Sequence, residues 1–345
     1  MPRCLLSRHV AALPTALAVA AVLASIPAAA QPAVTIGTNP PGTVFYAVGS
    51  GLAKVVTDGG KVRMTAQPYT GSSTFIPLLQ TGEMEFGVVN AVDMALAYRG
   101  SGFKVGGRNP FPHSPSIRIV MRGSPLLIGL LVRKDSPIKT AHDVKGKRVT
   151  GEYPAHLSVW YNMFGLLASA GLSWSDVKVV PVPAVTDGLD ALVQGRADVS
   201  TFALGGAKVK EADAAVGVRH ISVDCSPEGE ARIRRAVPGY YPRVVKAGTA
   251  TGVLEETCVI AYDLYLVSGK GVPDAVVEAT LRAVWEGIER LVPLHPLFKE
   301  WTRERAVDPD VTLPYHPGAI RFYREQRAWT PAMDQAQQRL LALNP

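Results

Sequence analysis

The sequence predicts an α/β protein of two doubly wound lobes joined by hinge strands. Three observations carry that prediction. Short β-branched runs alternate with runs of helical period along most of the chain. The alternation comes in two halves with the same cadence. The turns from strand to helix are rich in Gly, Pro, Ser, Thr and Asn, the residues that start helices.

In chain order, residues 1–30 read as a signal peptide cleaved near Ala30, so that an exported, periplasmic protein is expected. Arg3, Arg8 and His9 form a basic start, Ala11 to Ala24 is almost uninterrupted apolar, and Ala28-Ala29-Ala30 offers the small residues of a cleavage site. That run is about 14 residues, short of the roughly 20 that span a bilayer, which disfavours an uncleaved anchor. Cys4 lies before the apolar run, away from any lipid-attachment position.

In the first half, Val34–Gly37 is a strand, followed by a helix that buries Val48, Leu52, Val55 and Val56. Val62–Thr65 is the next strand. Thr70-Gly71-Ser72-Ser73 caps a helix carrying Phe75, Ile76, Leu78 and Leu79, which Gly82 ends. Phe86–Val89 is a third strand, and Asn90-Ala91-Val92-Asp93 caps the helix after it.

The second half repeats the pattern with a strand at Val177–Val182, a cap at Thr186-Asp187, a short helix burying Leu189, Leu192 and Val193, and a strand at Ala197–Phe202. "LLQTGEMEFGVVN" and "LVQGRADVSTFAL" share one order of helix end, glycine, acidic residue and buried strand. Ile117–Met121, leading through Arg122-Gly123-Ser124-Pro125 into Leu126–Val132, and Thr257–Val267 are the crossovers between lobes. Val277, Leu281, Val284, Ile288 and Leu291 form one helix face. Pro317 and Thr330-Pro331 start two more helices, which pack back on the first lobe. Lobe I is therefore expected over 31–123 and 258–345, and lobe II over 124–257.

The formal charge of +7 is spread along the chain, without the basic stripe and interleaved aromatics of a nucleic-acid surface. The spacing of Cys225 and Cys258 leaves open a disulfide or two buried thiols. No CxxC, HExxH or GxSxG appears. No metal, cofactor or enzymatic role is expected.

Ligands of open α/β sheets sit beyond strand carboxyl ends, where helix N-termini present N–H groups. Four junctions fit. The first holds Asn39, Gly42 and Thr43 with Tyr46 close by, the second Tyr69, Gly71, Ser72 and Ser73, and the third Asn90 and Asp93. The fourth, "VTGEYPAHLSVW", holds Gly151, Glu152, Tyr153, His156 and Ser158, while Phe202, Gly205 and Gly206 end another second-lobe strand. Pro40 and Pro41 stiffen the first turn so that Gly42 and Thr43 face a ligand. Glu152 and His156 suit an ammonium and a carboxylate respectively, or are solvent-facing loop residues.

"IGTNPPGTVFYAVGSGLAK", "TAQPYTGSSTFIPLLQTGEMEFGVVNAVDMALAY", "LVRKDSPIKTAHDVKGKRV" and "LPYHPGAIRFYREQ" together resemble the TAXI family of solute-binding proteins of TRAP transporters. The resemblance implies the type II periplasmic-binding-protein fold and lobe closure on a small carboxylate or amino-acid-like ligand. It also implies a monomer that delivers its load to small and large TRAP membrane subunits, separate or fused. Service to an ABC importer or a periplasmic sensor is the alternative, and an enzyme on the same fold a further one. The sequence departs from the family's pattern at Val44, Phe75 and the 152–156 turn, where a glycine-and-hydroxyl cradle is replaced by "GEYPAHLS".

Overall fold

The computed structural model describes residues 31–344 together with Met1 and Pro2. The expected signal peptide, with Cys4, lies outside the described residues.

Strand β1 (Ala33–Thr38) leads into helix α1 (Val44–Asp58), which returns the chain to pair β2 (Arg63–Pro68) parallel to β1. Val48, Leu52, Val55 and Val56 are all buried beneath α1. Helix α2 (Ser72–Thr81) ends at Gly82, whose φ of 84° is the left-handed conformation that glycine adopts without a Cβ clash. Strand β3 (Phe86–Asn90) follows parallel to β1, and α3 (Ala91–Arg99) is capped by the Asn90 side chain.

Both expected crossovers are single long strands. β4 runs unbroken from Ile117 to Arg133, straight through Arg122-Gly123-Ser124-Pro125. Its partner is β10 (Thr257–Gly269), antiparallel, with Ile117 opposite Gly269 and Ile128 opposite Ile260. The ladder tolerates Pro125 next to irregularities between Asp263 and Tyr265 and between Leu266 and Val267. A charge network pins this region: Arg122 bridges Asp263 and Asp308, each at 2.7 Å, and Arg305 reaches Asp263 at 2.8 Å.

Between the long strands lie β5 (Arg148–Glu152), α4 (Leu157–Ser169), β6 (Lys178–Val182), α5 (Val185–Val193), β7 (Ser200–Ala203) and α6 (Ala207–Val216). β8 (Val218–Ile221), α7 (Pro227–Ala236) and β9 (Tyr241–Val245) complete this part. β6 is parallel to β5, Val149 of β5 bridges in parallel to Val199, and β7 lies antiparallel on β4. The first part has the same arrangement, with β2 and β3 parallel to β1 and β10 antiparallel on β3. The cadence read in the sequence is thus a repeated topology, and the fold is the expected two-lobed α/β one.

Three local expectations are corrected. Thr186 and Asp187 do not cap α5 but lie in its first turn, because Ala184 takes the extended cap position. β7 begins at Ser200 instead of Ala197, since only Val199 of the preceding residues finds a bridge partner. The long C-terminal helix divides at Gly287 into α8 (Asp274–Glu286) and α9 (Ile288–Leu291). A Cβ at Gly287 would stand 2.5 Å from Val55 Cγ1 of α1, so the close approach of that helix requires the glycine. Helices α10 (Pro317–Glu325) and α11 (Pro331–Leu341) finish the chain; Tyr98 of α3 donates to the Leu340 carbonyl at 3.0 Å.

Cys225 and Cys258 form a disulfide, which fastens the segment before α7 to the start of β10. Among the described residues no helix is long and apolar enough to cross a membrane.

Candidate functional site

The ends of β1 and β3 and the starts of α2 and α4 converge on a buried polar cluster. Asn39, Ser72, Asn90 and Asp93 arrive from the first part of the chain, His156 and Ser158 from the second, and all six are nearly inaccessible to solvent. Asn90 is there because it caps α3: its Oδ1 accepts from the Asp93 backbone N–H at 2.7 Å. That cap places the Asp93 side chain against α2, where Ser72 Oγ donates to Asp93 Oδ2 at 2.7 Å.

Burial dominates the electrostatics. It pushes Asp93 up to about 7, against the pull of Ser72, Asn90 and Ser158 toward the ionised form. His156 is driven down to about 3 and is neutral at physiological pH. Asn39 Nδ2 lies 3.0 Å from His156 Nε2. An amide nitrogen only donates, so Nε2 accepts and the ring proton resides on Nδ1.

Four atoms of this cluster are buried without a well-aligned protein partner: Asn39 Oδ1, Asn90 Nδ2, Asp93 Oδ1 and His156 Nδ1, although the Asn90 and Ser158 side chains stand near enough to Asp93 to favour its ionised form. A buried polar atom left unpaired costs about 1–3 kcal/mol, and natural structures hold few of them. Their gathering in one place, from both halves of the chain, makes this cluster the candidate site for the polar groups of a ligand.

The halves touch around this cluster. Ser73 Oγ donates to the Ala155 carbonyl at 2.5 Å, and the Lys208 N–H donates to the Gly42 carbonyl at 3.1 Å. Gly71 packs on Ala155 and the His156 backbone so closely that a Cβ there would collide with both. Farther out, the Arg108 guanidinium lies 4.4 Å from the Trp160 ring centroid, and its carbonyl accepts from Tyr161 at 3.2 Å. The adjoining cavity, between Thr43, Phe45, His156, Asn162, Phe202 and Tyr262, is about 20 Å³, enough for about one water.

The other residues singled out in the sequence fall into different settings. Thr43 borders the cavity, but its hydroxyl is engaged as a cap, donating to the Pro40 carbonyl at 2.7 Å and accepting from the Tyr46 N–H at 3.2 Å. Gly42 has φ 87°, as the turn after two prolines requires. Tyr46 and Tyr69 are half-buried, with Tyr69 against Phe75. Gly151 packs beside Val179 and Trp174, and the Tyr153 hydroxyl donates to Thr150 in the core. Glu152 is exposed on backbone of φ 70°, whereas His156 is not the solvent-facing loop residue of the alternative reading. Gly206 touches the Phe202 ring, and Gly205 faces away, toward His295 and a separate cavity of about 350 Å³.

Sequence reading missed Asn162, Tyr240 and Tyr262. Tyr240 donates to Asn162 Oδ1 at 2.5 Å, and Asn162 Nδ2 donates to the Tyr262 hydroxyl at 3.4 Å. The one available signal was Asn162 itself, a lone amide in the apolar run Leu157–Ser169.

A family model described as the NMT1-like family matches residues 36–326. Among solved structures, one of a periplasmic transporter is 13% identical, with a TM-score of 0.56, covering 92% of this chain and 99% of that one. The alkanesulfonate-binding protein SsuA from Xanthomonas axonopodis pv. citri, bound to MOPS, is 16% identical over 89% of this chain and 99% of its own, with a TM-score of 0.48. An ancestral arginine-binding protein bound to arginine is 14% identical over 78% and 97%, with a TM-score of 0.45. At such identities the likeness to the periplasmic transporter speaks for the fold alone. The family match, running from β1 into the last turn of the structure before α11, is of another kind: this chain belongs to the NMT1-like family.

Proposed function

We propose that this protein is the extracytoplasmic solute-binding subunit of a TRAP-type transporter of the TAXI kind. It captures a small carboxylate or amino-acid-like solute between lobe I (31–123 and 258–345) and lobe II (124–257). The observation that carries this reading is the cluster of unpaired buried atoms supplied jointly by Asn39, Asn90 and Asp93 and by His156. A site shared by two lobes rewards their closure, because ligand contacts exist in full only when the lobes meet. β4 and β10 are the elements about which the lobes move. The closed cavity of about 20 Å³ means that a solute enters while the lobes are parted.

Binding is favoured over chemistry by the way the polar groups pair. Ser72 donates straight to Asp93 with no imidazole between them, and His156 meets an amide instead of a hydroxyl. A nucleophile activated by an oriented base has the opposite order.

The test is native mass spectrometry of protein taken from the exported fraction without dialysis, followed by release of any bound mass and titration with a panel of small acids and amino acids. A stoichiometric small acid or amino acid is the expected result. A clean unliganded mass, with no member of the panel bound, overturns the reading. Co-purification with membrane subunits encoded nearby separates TRAP from ABC service.

A further inference from the structure

The four unpaired atoms specify more than polarity. Two are acceptors, Asn39 Oδ1 and Asp93 Oδ1, and two are donors, Asn90 Nδ2 and the Nδ1–H of His156. The donors are both neutral, while one acceptor belongs to an ionisable carboxyl. Among the described residues Asp93 has no ion-pair partner, although Arg and Lys side chains elsewhere find carboxylates readily. The groups that do act on it are uncharged: the Ser72 hydroxyl on its other oxygen, with the Asn90 amide and the Ser158 hydroxyl close by. We propose that Asp93 is the specificity-determining residue of the site and that it selects a solute carrying a protonated amine, whose ammonium takes the charge partner that the protein leaves out.

The argument rests on the solute-binding reading and narrows it. A ligand carboxylate can be held by the neutral donors, Asn90 Nδ2 and His156 Nδ1–H, as carboxylates are held wherever N–H groups converge. An ammonium placed on Asp93 Oδ1 and Asn39 Oδ1 satisfies both acceptors and neutralises a buried charge. A purely anionic solute does neither. It sets a second negative charge beside Asp93, and two carboxyls in contact without a cation must share a proton. Among the described residues the surroundings offer no substitute cation. Burial and the charge of Asp93 raise the phenols of Tyr161, Tyr240 and Tyr262, so all three stay neutral, and burial keeps the His156 ring neutral too. Arg108, the guanidinium on this side, stacks on Trp160.

The two classes of ligand respond to pH in opposite directions. An ammonium needs Asp93 ionised, so its affinity falls as the medium is acidified. A carboxylate needs Asp93 protonated, so its affinity rises.

The experiment is isothermal titration of the full chain with matched pairs of solutes that differ only by the amine: L-glutamate with glutarate, L-aspartate with succinate, L-alanine with propionate. The amine-bearing member of at least one pair is expected to bind tenfold or more tightly than its partner, and to weaken between pH 8 and pH 6. Asp93→Asn should reduce that affinity at least tenfold while leaving the protein folded; the pH profile of the unmutated chain tests the same point without a variant. Equal or tighter binding of the deaminated member, or affinity that rises on acidification, overturns the assignment while leaving solute binding intact. Absence of binding by both members of every pair overturns the assignment and the solute-binding reading together.

Discussion

Asn39 and His156 are joined at 3.0 Å, amide nitrogen to ring nitrogen, across the junction between the start of the chain and α4. Because burial holds His156 near 3 against an ordinary 6.5, the folded protein declines a proton that the unfolded chain accepts. The stability this confers is complete above about pH 6.5 and is lost as pH falls from there toward 3, at roughly 1.4 kcal/mol per pH unit. His220, driven by burial to about 4, adds a slope of the same sign. Melting temperature should therefore drop steeply below pH 6. His156→Gln should flatten part of that drop and leave the part due to His220, and an undiminished slope would count against the burial of His156.

Asp93 has the opposite sign. With its pKa raised from 3.8 to about 7, its folded-state contribution is full below about pH 3.8 and is lost as pH rises through 7. The ligand-free protein should consequently gain stability from Asp93→Asn at pH 8, on the order of 2–4 kcal/mol, and gain little at pH 4. Urea midpoints of the two proteins at both pH values provide the comparison. Equal midpoints at pH 8 would mean that the carboxyl is not held in a desolvated place.

Gly71 precedes α2 with φ −174°, an extended conformation open to any residue, so alanine there does not strain the helix start. What alanine meets is Ala155 and the backbone of His156 on the far side of the cleft. Gly71→Ala should hold the lobes apart. X-ray scattering in solution should show a larger radius of gyration with ligand present, and solute affinity should fall at least tenfold. Melting of the ligand-free form should change little.

The Cys225–Cys258 disulfide closes a loop of sequence separation 33. Loop-entropy arguments assign such a cross-link about 3–4 kcal/mol. Replacing both cysteines by serine should lower the unfolding free energy by that amount in urea titration, with solute affinity retained because neither cysteine belongs to the polar cluster. A fall in affinity instead would show that the tie positions β10 for binding.

Much of the fold was legible because local rules and tertiary needs agree. Gly82 ends α2 in the conformation that only glycine takes freely, and Asn90 caps α3 with its own amide. Where the sequence misled, a distant partner decided. Arg122–Pro125 carries a glycine and a proline, residues that weaken strands, yet β10 lies alongside and keeps the stretch in the ladder. The need for glycine at 287, between α8 and α9, comes from Val55, far away in the chain. The site shows the same division. Capping residues could be read as a set, but which of their polar atoms would remain unpaired could not. Thr43 illustrates this: its hydroxyl closes on Pro40 and Tyr46, a choice made by turn geometry. His156 shows the converse, a residue of an apparent loop that is buried where Gly71 lets α2 come so near.

The middle strand of the first sheet arrives very late. Asn90 and Val89 of β3 find their ladder partners only in Leu264 and Tyr265 of β10. Nothing made earlier can occupy that place, since β4 itself pairs with β10 and lies beyond it. A chain that appears from its N-terminus thus carries a half-finished sheet until β10 has appeared, and contacts so remote in sequence form slowly. The architecture that gives the protein its two long antiparallel strands therefore also delays completion of its first sheet.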